Sequence, residues 1–190
     1  MELFSEKGFN VASVRDIAKK IGIKDSSLYF HYKNKQAILD SLMGRFINIS
    51  EQMMSLLDND IMSITSMNDE QFYMVTEQYI QSYFMNDFIN KFIMVMNHER
   101  SHNEKMREQY IYWCIKNPIE YQMTIIEQLQ KIGYLKKLDT YHITVEYYAP
   151  IFLYFNQYMN HGCTNEDKAA FKNAVMTATR NFIATYKKEI

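Results

Sequence analysis

The sequence contains few of the residues that interrupt helices. Glycine occurs 5 times and proline twice among 190 residues, and both are unfavourable inside a helix. The two cysteines, Cys114 and Cys163, are too few for a disulfide framework. The longest apolar run, 147–155, is far shorter than the roughly 20 residues that a membrane-spanning helix needs. These shortages predict an all-α, soluble and cytoplasmic protein.

The sequence also lacks the familiar signatures of catalysis. It contains no phosphate-binding glycine loop, no nucleophile elbow and no zinc-ligand spacing. Ser27 and His31 are one helical turn apart, as are His98 and His102, but neither pair has an orienting third group or a further ligand nearby. We therefore expect no enzyme, no cofactor and no metal site.

Charge divides the chain into two parts. Residues 1–45 contain 8 Lys or Arg and 5 Asp or Glu, whereas residues 46–190 contain 13 and 17. A basic head on an acidic body is typical of a protein that holds nucleic acid at one end. The predicted domains are 1–45 and 46–190.

The stretch from Ser13 to Lys35 has the pattern of a helix-turn-helix. Ser13 suits the N-cap of a first helix, and Gly22 suits its end, where a positive φ is needed. An apolar face recurs at helical spacing, and Ile23 is expected to hold the turn in the core. That face consists of Val14, Ile17, Ala18 and Ile21. Asp25 to Tyr32 then forms a short second helix with Leu28 and Tyr32, one turn apart, pointing inward.

Polar and aromatic side chains remain on the outer face of the second helix. Hydroxyls, an imidazole and flanking lysines are suited to base edges and phosphates in a major groove. These residues are Ser26, Ser27, Tyr29, Phe30 and His31, with Lys24, Lys33 and Lys35 around them. The alternative is an ordinary helical hairpin with a solvated polar face.

Several segments of the head resemble the N-terminal DNA-binding domain of TetR-family transcriptional regulators. They are Leu3–Phe9 (LFSEKGF), Val14–Ala18 (VRDIA), Gly22–Ile23 and Leu28–Lys35 (LYFHYKNK). The resemblance implies a homodimer that binds a DNA operator and whose C-terminal domain senses a small molecule. It implies phosphate contacts from Tyr29 and Lys35 and base-edge contacts from Ser26, Ser27 and His31. Ser13 and Lys24 complete the predicted DNA-binding set.

Two departures from the family pattern limit what the resemblance implies. The chain has Lys24-Asp25-Ser26 where the family usually has Ser-Lys-Gly, so Asp25 is expected to cap the second helix in place of lysine. Residues corresponding to the beginning of the family's first helix are also missing before Leu3. A shortened first helix should leave part of the core of the head uncovered.

The body is predicted to consist of helices only. Phe9 and Val11 should pack under the head, and Asn34 should cap a long connecting helix that reaches Leu57, followed by a polar break over 58–67. Further helices are expected at about 69–85, 88–98, 106–116, 118–132, 140–160 and 165–187. Asn117 and Pro118 have the pattern of a new helix start, and Pro150 should kink its helix.

Small and aromatic residues of the body predict two roles, which are pairing with a second copy and binding of a ligand. The stripe of Ala170, Ala174 and Ala178 predicts that the last two helices pair with those of a second copy. Aromatic and methionine side chains are expected to line an apolar pocket for a planar or cationic ligand, although ordinary core packing is the alternative. The expected pocket residues are Tyr79, Tyr83, Phe92, Met96, Tyr110, Trp113, Tyr147 and Phe152.

The sequence therefore favours a ligand-responsive repressor that a small apolar or aromatic effector releases from a palindromic operator. The alternative is an all-helical small-molecule-binding module without DNA binding.

Overall fold

The computed structural model describes residues 1–61, 63–159 and 162–189, with only the backbone described for 56–61. Within those ranges the chain is helical, without strands, and a single isolated antiparallel bridge joins Leu135 to Lys187. The helices are α1 (Glu2–Lys7), α2 (Val14–Ile21), α3 (Asp25–His31), α4 (Lys35–Ile61), α5 (Asp69–Tyr79), α6 (Asp87–Glu99), α7 (Glu104–Ile111), α8 (Asn117–Lys131), α9 (Thr140–Tyr158) and α10 (Asn165–Tyr186). None of the described helices is long and apolar enough to cross a membrane.

Most helix starts follow from side chains that satisfy free backbone N–H groups. Asn68 and Thr164 each form a reciprocal capping box, and Asn86 and Asp139 each accept from the first turn of their helix. Asn34 likewise accepts from the N–H of Ala37 at 2.9 Å. These caps confirm the predicted starts of five helices.

The polar break predicted over 58–67 is wrong in its first part, because α4 continues to Ile61. Asp and Asn cost only a few tenths of a kcal/mol each in a helix, so a short polar stretch does not end one. The side chain of Leu57 and the predicted helix end at Asn160 lie outside the described residues.

The predicted N-cap at Asn117 is wrong, although α8 begins at that residue. Asn117 is itself helical, with φ −59° and ψ −43°, and a π-helical segment, Tyr112–Lys116, joins α7 to α8 without a break. Pro118 has no N–H to donate to the carbonyl of Cys114, four residues earlier. The Tyr148 hydroxyl of α9 donates to that carbonyl instead, at 2.8 Å. A tertiary hydrogen bond therefore keeps this helix continuous through its proline.

The head is less completely buried than its apolar pattern predicts. Ala18 and Leu28 are buried where α2 and α3 cross, but Val11, Ile21 and Ile23 are 71%, 59% and 41% exposed. Ile21 borders an open cleft between α1, α2, α4 and α6. In the turns, backbone hydrogen bonds rather than buried side chains hold the chain, such as Ile23 N–H to the Ala18 carbonyl at 3.0 Å.

The head contacts the body through two helices. α1 packs on α6, and α4 leaves the head and packs on α6 and α8. Phe46 of α4 is fully buried against Phe92 of α6 and Trp113, with ring centroids 5.1 and 5.9 Å away. α4 is therefore the structural connection between the two parts of the chain.

Candidate DNA interface and ligand cavity

The first helix of the motif begins at a well-formed cap. The Ser13 hydroxyl accepts from the N–H of Asp16 at 3.1 Å, while the Asp16 carboxylate accepts from the Ser13 N–H and hydroxyl at 2.9 and 2.6 Å. The hydrogen bonds from Ser13 lower the pKa of Asp16. Gly22 then ends α2 in the left-handed conformation, with φ 73°. This geometry fixes the angle at which α3 is presented.

The outer face of α3 is open to solvent. Lys24, Ser26, Ser27, Tyr29 and His31 are all exposed, so the structure brings together these five members of the predicted DNA-binding set. Ser13, also exposed, lies apart from them at the start of α2. The face has hydroxyl, phenol, imidazole and ammonium groups within about two helical turns.

Asp25 does not cap α3, contrary to the sequence prediction. The N-cap position belongs to Lys24, which makes no side-chain capping bond, and Asp25 is the first residue inside the helix. Its carboxylate instead lies 3.2 Å from the guanidinium of Arg15 on α2. The positive charge of Arg15 partly offsets the negative charge of Asp25 at the start of α3.

Lys35 has structural contacts that its sequence position does not reveal. Its ammonium donates to the carbonyls of Phe9 and Asn10 at 2.6 and 3.3 Å, and lies 4.4 Å from the centre of the Phe9 ring. The N–H of Phe9 in turn donates to the buried carboxylate of Glu99, at the end of α6, at 2.8 Å. The turn between α1 and α2 is thus held from both α4 and α6.

A small apolar cavity lies between α5, α8 and α9. Its volume is about 20 Å³, close to what a single water molecule occupies. The lining residues are Met67, Phe72, Val75, Thr76, Tyr79, Gln122, Ile125, Ile126, Leu129 and Tyr147. None of these ten side chains is an Asp, Glu, Lys, Arg or His.

Only two of the predicted pocket residues, Tyr79 and Tyr147, line this cavity. Four others are buried in the core around α4, α6 and α7 and do not border the cavity, and the fifth, Tyr83, is buried beyond the end of α5. The four are Phe92, Met96, Tyr110 and Trp113. Phe152 is half-buried on α9 and also lies outside the cavity. Aromatic content alone did not distinguish pocket from core, because both use the same side chains.

The cavity contains polar groups that the sequence prediction missed. Thr76 donates to the Phe72 carbonyl at 3.0 Å and lies 2.9 Å from the Tyr147 hydroxyl, which therefore donates to it. The buried Gln122 side chain lines the cavity together with Tyr79. Gln122 follows the same face as Ile126 and Leu129, so a polar residue within the apolar stripe of α8 was the available signal.

Burial keeps the phenols of the cavity uncharged. It raises the pKa of Tyr147 to about 12 and raises the pKa of Tyr79 well above its ordinary value. The cavity therefore offers apolar walls and neutral hydrogen-bonding groups at physiological pH.

Hydrogen bonds connect the cavity wall to the helix that leaves the head. Tyr121, beside Gln122 on α8, donates from its hydroxyl to the Met54 carbonyl of α4 at 3.2 Å. Gln128 of α8 donates to the Ile64 carbonyl, just beyond α4, at 2.8 Å. α8 is therefore hydrogen-bonded to the second half of α4 and to the segment that follows it.

Comparisons with known proteins agree with this arrangement. Residues 1–42 match the family model of bacterial regulatory proteins, tetR family. Over 84 residues the chain is 34% identical to the biofilm operon icaADBC HTH-type negative transcriptional regulator IcaR of Staphylococcus epidermidis, covering 43% of this chain and 45% of that protein. The chain spans less than half the length of the curated relatives it matches.

Solved structures extend the similarity to the body. SmeT, the repressor of the Stenotrophomonas maltophilia multidrug efflux pump SmeDEF, matches in its complex with triclosan with a TM-score of 0.69 and 14% identity, over 99% of this chain and 88% of that one. A transcriptional regulator structure from Saccharomonospora viridis, in complex with choline, matches with a TM-score of 0.69 and 16% identity, over 98% and 93%. At this identity the similarity shows the fold.

The helix-turn-helix head and the helical body define a two-domain, all-α protein. The first 42 residues match the tetR family of bacterial regulatory proteins, and the whole chain shares the fold of the SmeT repressor.

Proposed function

We propose that the chain is a homodimeric, effector-responsive transcriptional repressor that binds a palindromic DNA operator. The observation that carries this proposal is that one helix, α4, connects the head with the helices that line the apolar cavity. α4 begins four residues after the end of α3, and Met54 in its second half accepts a hydrogen bond from Tyr121 on α8, one of the helices that line the apolar cavity. The domains proposed for these roles are 1–45 and 46–190.

The DNA-binding role rests on the charge and exposure of the head. Tyr29 and Lys35 are proposed to contact phosphates, and Ser26, Ser27 and His31 to approach base edges. Ser13 and Lys24 flank this surface at the starts of α2 and α3. The Arg15–Asp25 pair is compatible with the assignment, because an arginine lies beside the one acidic residue of α3. IcaR is named a negative regulator and SmeT a repressor, which favours repression.

The homodimer is proposed to form through α9 and α10. Ala170, Ala174 and Ala178 lie half-buried along α10, and the neighbouring α9 exposes Leu153. Small residues in a row allow two helices to approach closely. Two-fold symmetry would separate the recognition helices by about 34 Å, the distance between successive major grooves on one side of a duplex.

The effector is proposed to be a neutral, largely apolar molecule with one hydrogen-bonding group. The cavity has no acidic side chain to balance a cation, and Gln122 is the polar group that a phenol or amide would meet. SmeT is known in complex with triclosan, a phenol, whereas the S. viridis protein is known in complex with choline, a cation. The lining of this cavity favours the first kind of ligand.

The switch is proposed to follow from the small size of the cavity. An effector larger than water must push the lining of α5, α8 and α9 apart, and α8 then acts on α4 through Tyr121. A tilt of α4 changes the separation of the two recognition helices. The effector shifts DNA affinity only by its preference for the non-binding geometry, typically about 1–3 kcal/mol.

The experiment that tests DNA binding is selection of duplexes from a random pool by the purified chain. The proposal predicts a palindromic consensus, which Ser27→Ala alters and which Thr124→Ala, an exposed change on the far side in α8, leaves unchanged. Failure to enrich any sequence at low salt would contradict DNA binding. It would favour the alternative, a helical small-molecule-binding module. No catalytic activity is part of this proposal.

A further inference from the structure

Phe30 is unusually exposed for a large apolar side chain. Its side chain is 87% exposed, the highest value among the large hydrophobic residues that the structure describes. Burial of a phenylalanine side chain is worth about 1.5–3 kcal/mol. Because the ring of Phe30 stays in water, the fold does not obtain this stabilisation.

The position of Phe30 relates it to the proposed base-reading residues. On a helix, residues three and four apart are neighbours, so Phe30 lies beside Ser27 and Ser26 on the outer face of α3. Its ring also meets His31 edge to face, with centroids 5.2 Å apart and planes at 90°. The ring is therefore placed among the hydroxyls and the imidazole of α3.

We propose that Phe30 selects thymine in the operator by packing against its 5-methyl group. In the major groove, that methyl is the one apolar feature that distinguishes a base pair. The phenyl ring has no hydroxyl or amine, so it can recognise a base edge only through such apolar contact. This inference rests on the proposed DNA-binding function and adds a specificity-determining residue to it.

The test uses the selected operator with each thymine replaced in turn by deoxyuridine. This substitution removes the methyl group and retains every hydrogen-bonding group of the base. For the wild-type chain, uracil at one position in each half-site should weaken binding about fourfold per half-site, as expected for one buried methyl group. At the remaining positions the affinity should not change.

Variants of Phe30 test whether the phenyl ring contacts that methyl group. Phe30→Ala should bind the thymine operator more weakly and should no longer distinguish it from the uracil operator, while Phe30→Leu should keep part of the discrimination. Met74→Ala removes a comparably exposed apolar side chain, 63% exposed, from α5. That control should behave as the wild type, and all three variants should unfold at the wild-type midpoint.

The possible results distinguish a failure of the role proposed for Phe30 from a failure of the proposed DNA-binding function. If Phe30→Ala still distinguishes thymine from uracil, or if no position responds to uracil, the proposed role of Phe30 is wrong although the protein binds DNA. If the wild-type chain binds no duplex, the DNA-binding function fails and the role of Phe30 fails with it.

Discussion

At the scale of single residues, Lys35 combines a structural and a proposed binding role. Its ammonium donates to the carbonyls of Phe9 and Asn10, and Lys35 lies four residues beyond the end of α3. An ammonium can donate three hydrogen bonds, so a third donor remains for a phosphate. The same residue thus fixes the turn before α2 and adds charge to the proposed interface.

Replacing Lys35 with alanine should weaken binding to all duplexes alike. The slope of log affinity against log salt should fall by about one unit per protomer, because one phosphate contact is lost. Lys131→Ala, an exposed change at the end of α8, is the control for net charge. A Lys35→Ala slope equal to that of Lys131→Ala would contradict the phosphate contact.

Tyr147 should make the stability of the fold decrease at alkaline pH. Because its folded pKa is about 12 and an unfolded tyrosine titrates near 10, the folded state retains the proton longer. The contribution of Tyr147 to the free energy of unfolding is complete below pH 10. Above that pH it decreases by about 1.4 kcal/mol per pH unit until the folded pKa is reached. A carboxylate with a lowered pKa would give the opposite sign.

Urea unfolding at pH 8 and pH 11 measures this contribution. The wild type should lose about 1.4 kcal/mol more unfolding free energy between these pH values than Tyr147→Phe loses. The other tyrosines are common to both proteins and cancel in the comparison. Equal losses in the two proteins would show that Tyr147 is not buried as described.

At the scale of helices, the sequence predicts where a helix begins better than it predicts whether a helix continues without a break. The caps at Asn34, Asn68, Asn86 and Thr164 depend on residues within one turn, and the structure confirms them. The continuous helix through Pro118 depends on Tyr148, which is 30 residues away in sequence. A contact of that kind leaves no local pattern, so the apparent restart at Asn117 was misleading.

The same distinction explains what could be predicted of the two sites. The outward face of α3 follows from helical periodicity, and the structure exposes Ser26, Ser27, Tyr29 and His31 as expected. The cavity depends on how three helices pack, and Thr76 and Gln122 were not identified from the sequence. The ion pair of Asp25 was missed because it joins two helices rather than neighbours within one.

Tyr121 offers a test of communication between α8 and α4. Tyr121→Phe removes the hydroxyl that donates to the Met54 carbonyl. Because the ring remains in place, effector affinity and operator affinity measured separately should change little. The factor by which the effector weakens operator binding should decrease severalfold, since couplings of this kind respond by about 0.5–2 kcal/mol.

Tyr141→Phe provides the matched control for this prediction. It removes a hydroxyl from a 57% exposed tyrosine near the start of α9, away from the contact between α8 and α4. The control should retain the full coupling. If both variants couple as the wild type does, the switch does not act through the Tyr121 hydroxyl.

At the scale of the whole molecule, the account requires two heads held at a fixed separation. Ala174→Asp places a charge in the middle of the proposed α9–α10 interface and should produce monomers in light scattering, because an unpaired buried charge is costly. Ala169→Asp, an exposed change on another side of α10, should remain dimeric. Dimers of both variants, with wild-type helix content, would place the interface elsewhere.

Trp113 provides an optical signal for the connecting helix. It lies outside the cavity, but its ring meets Phe46 of α4 edge to face and its indole N–H donates to Gln109 at 3.2 Å. Its fluorescence should therefore report movement of α4 when an effector enters the cavity. Neutral phenols and amides are the compounds to screen first, with quaternary amines as the comparison.

The most direct test of the account is the reciprocal effect of effector and operator. With a compound found in this screen, operator affinity is measured with and without saturating effector, and effector affinity with and without saturating operator. The account predicts that each ligand weakens the other by the same factor, between about 5 and 150. An effector that binds tightly in the cavity and leaves operator affinity unchanged would contradict it.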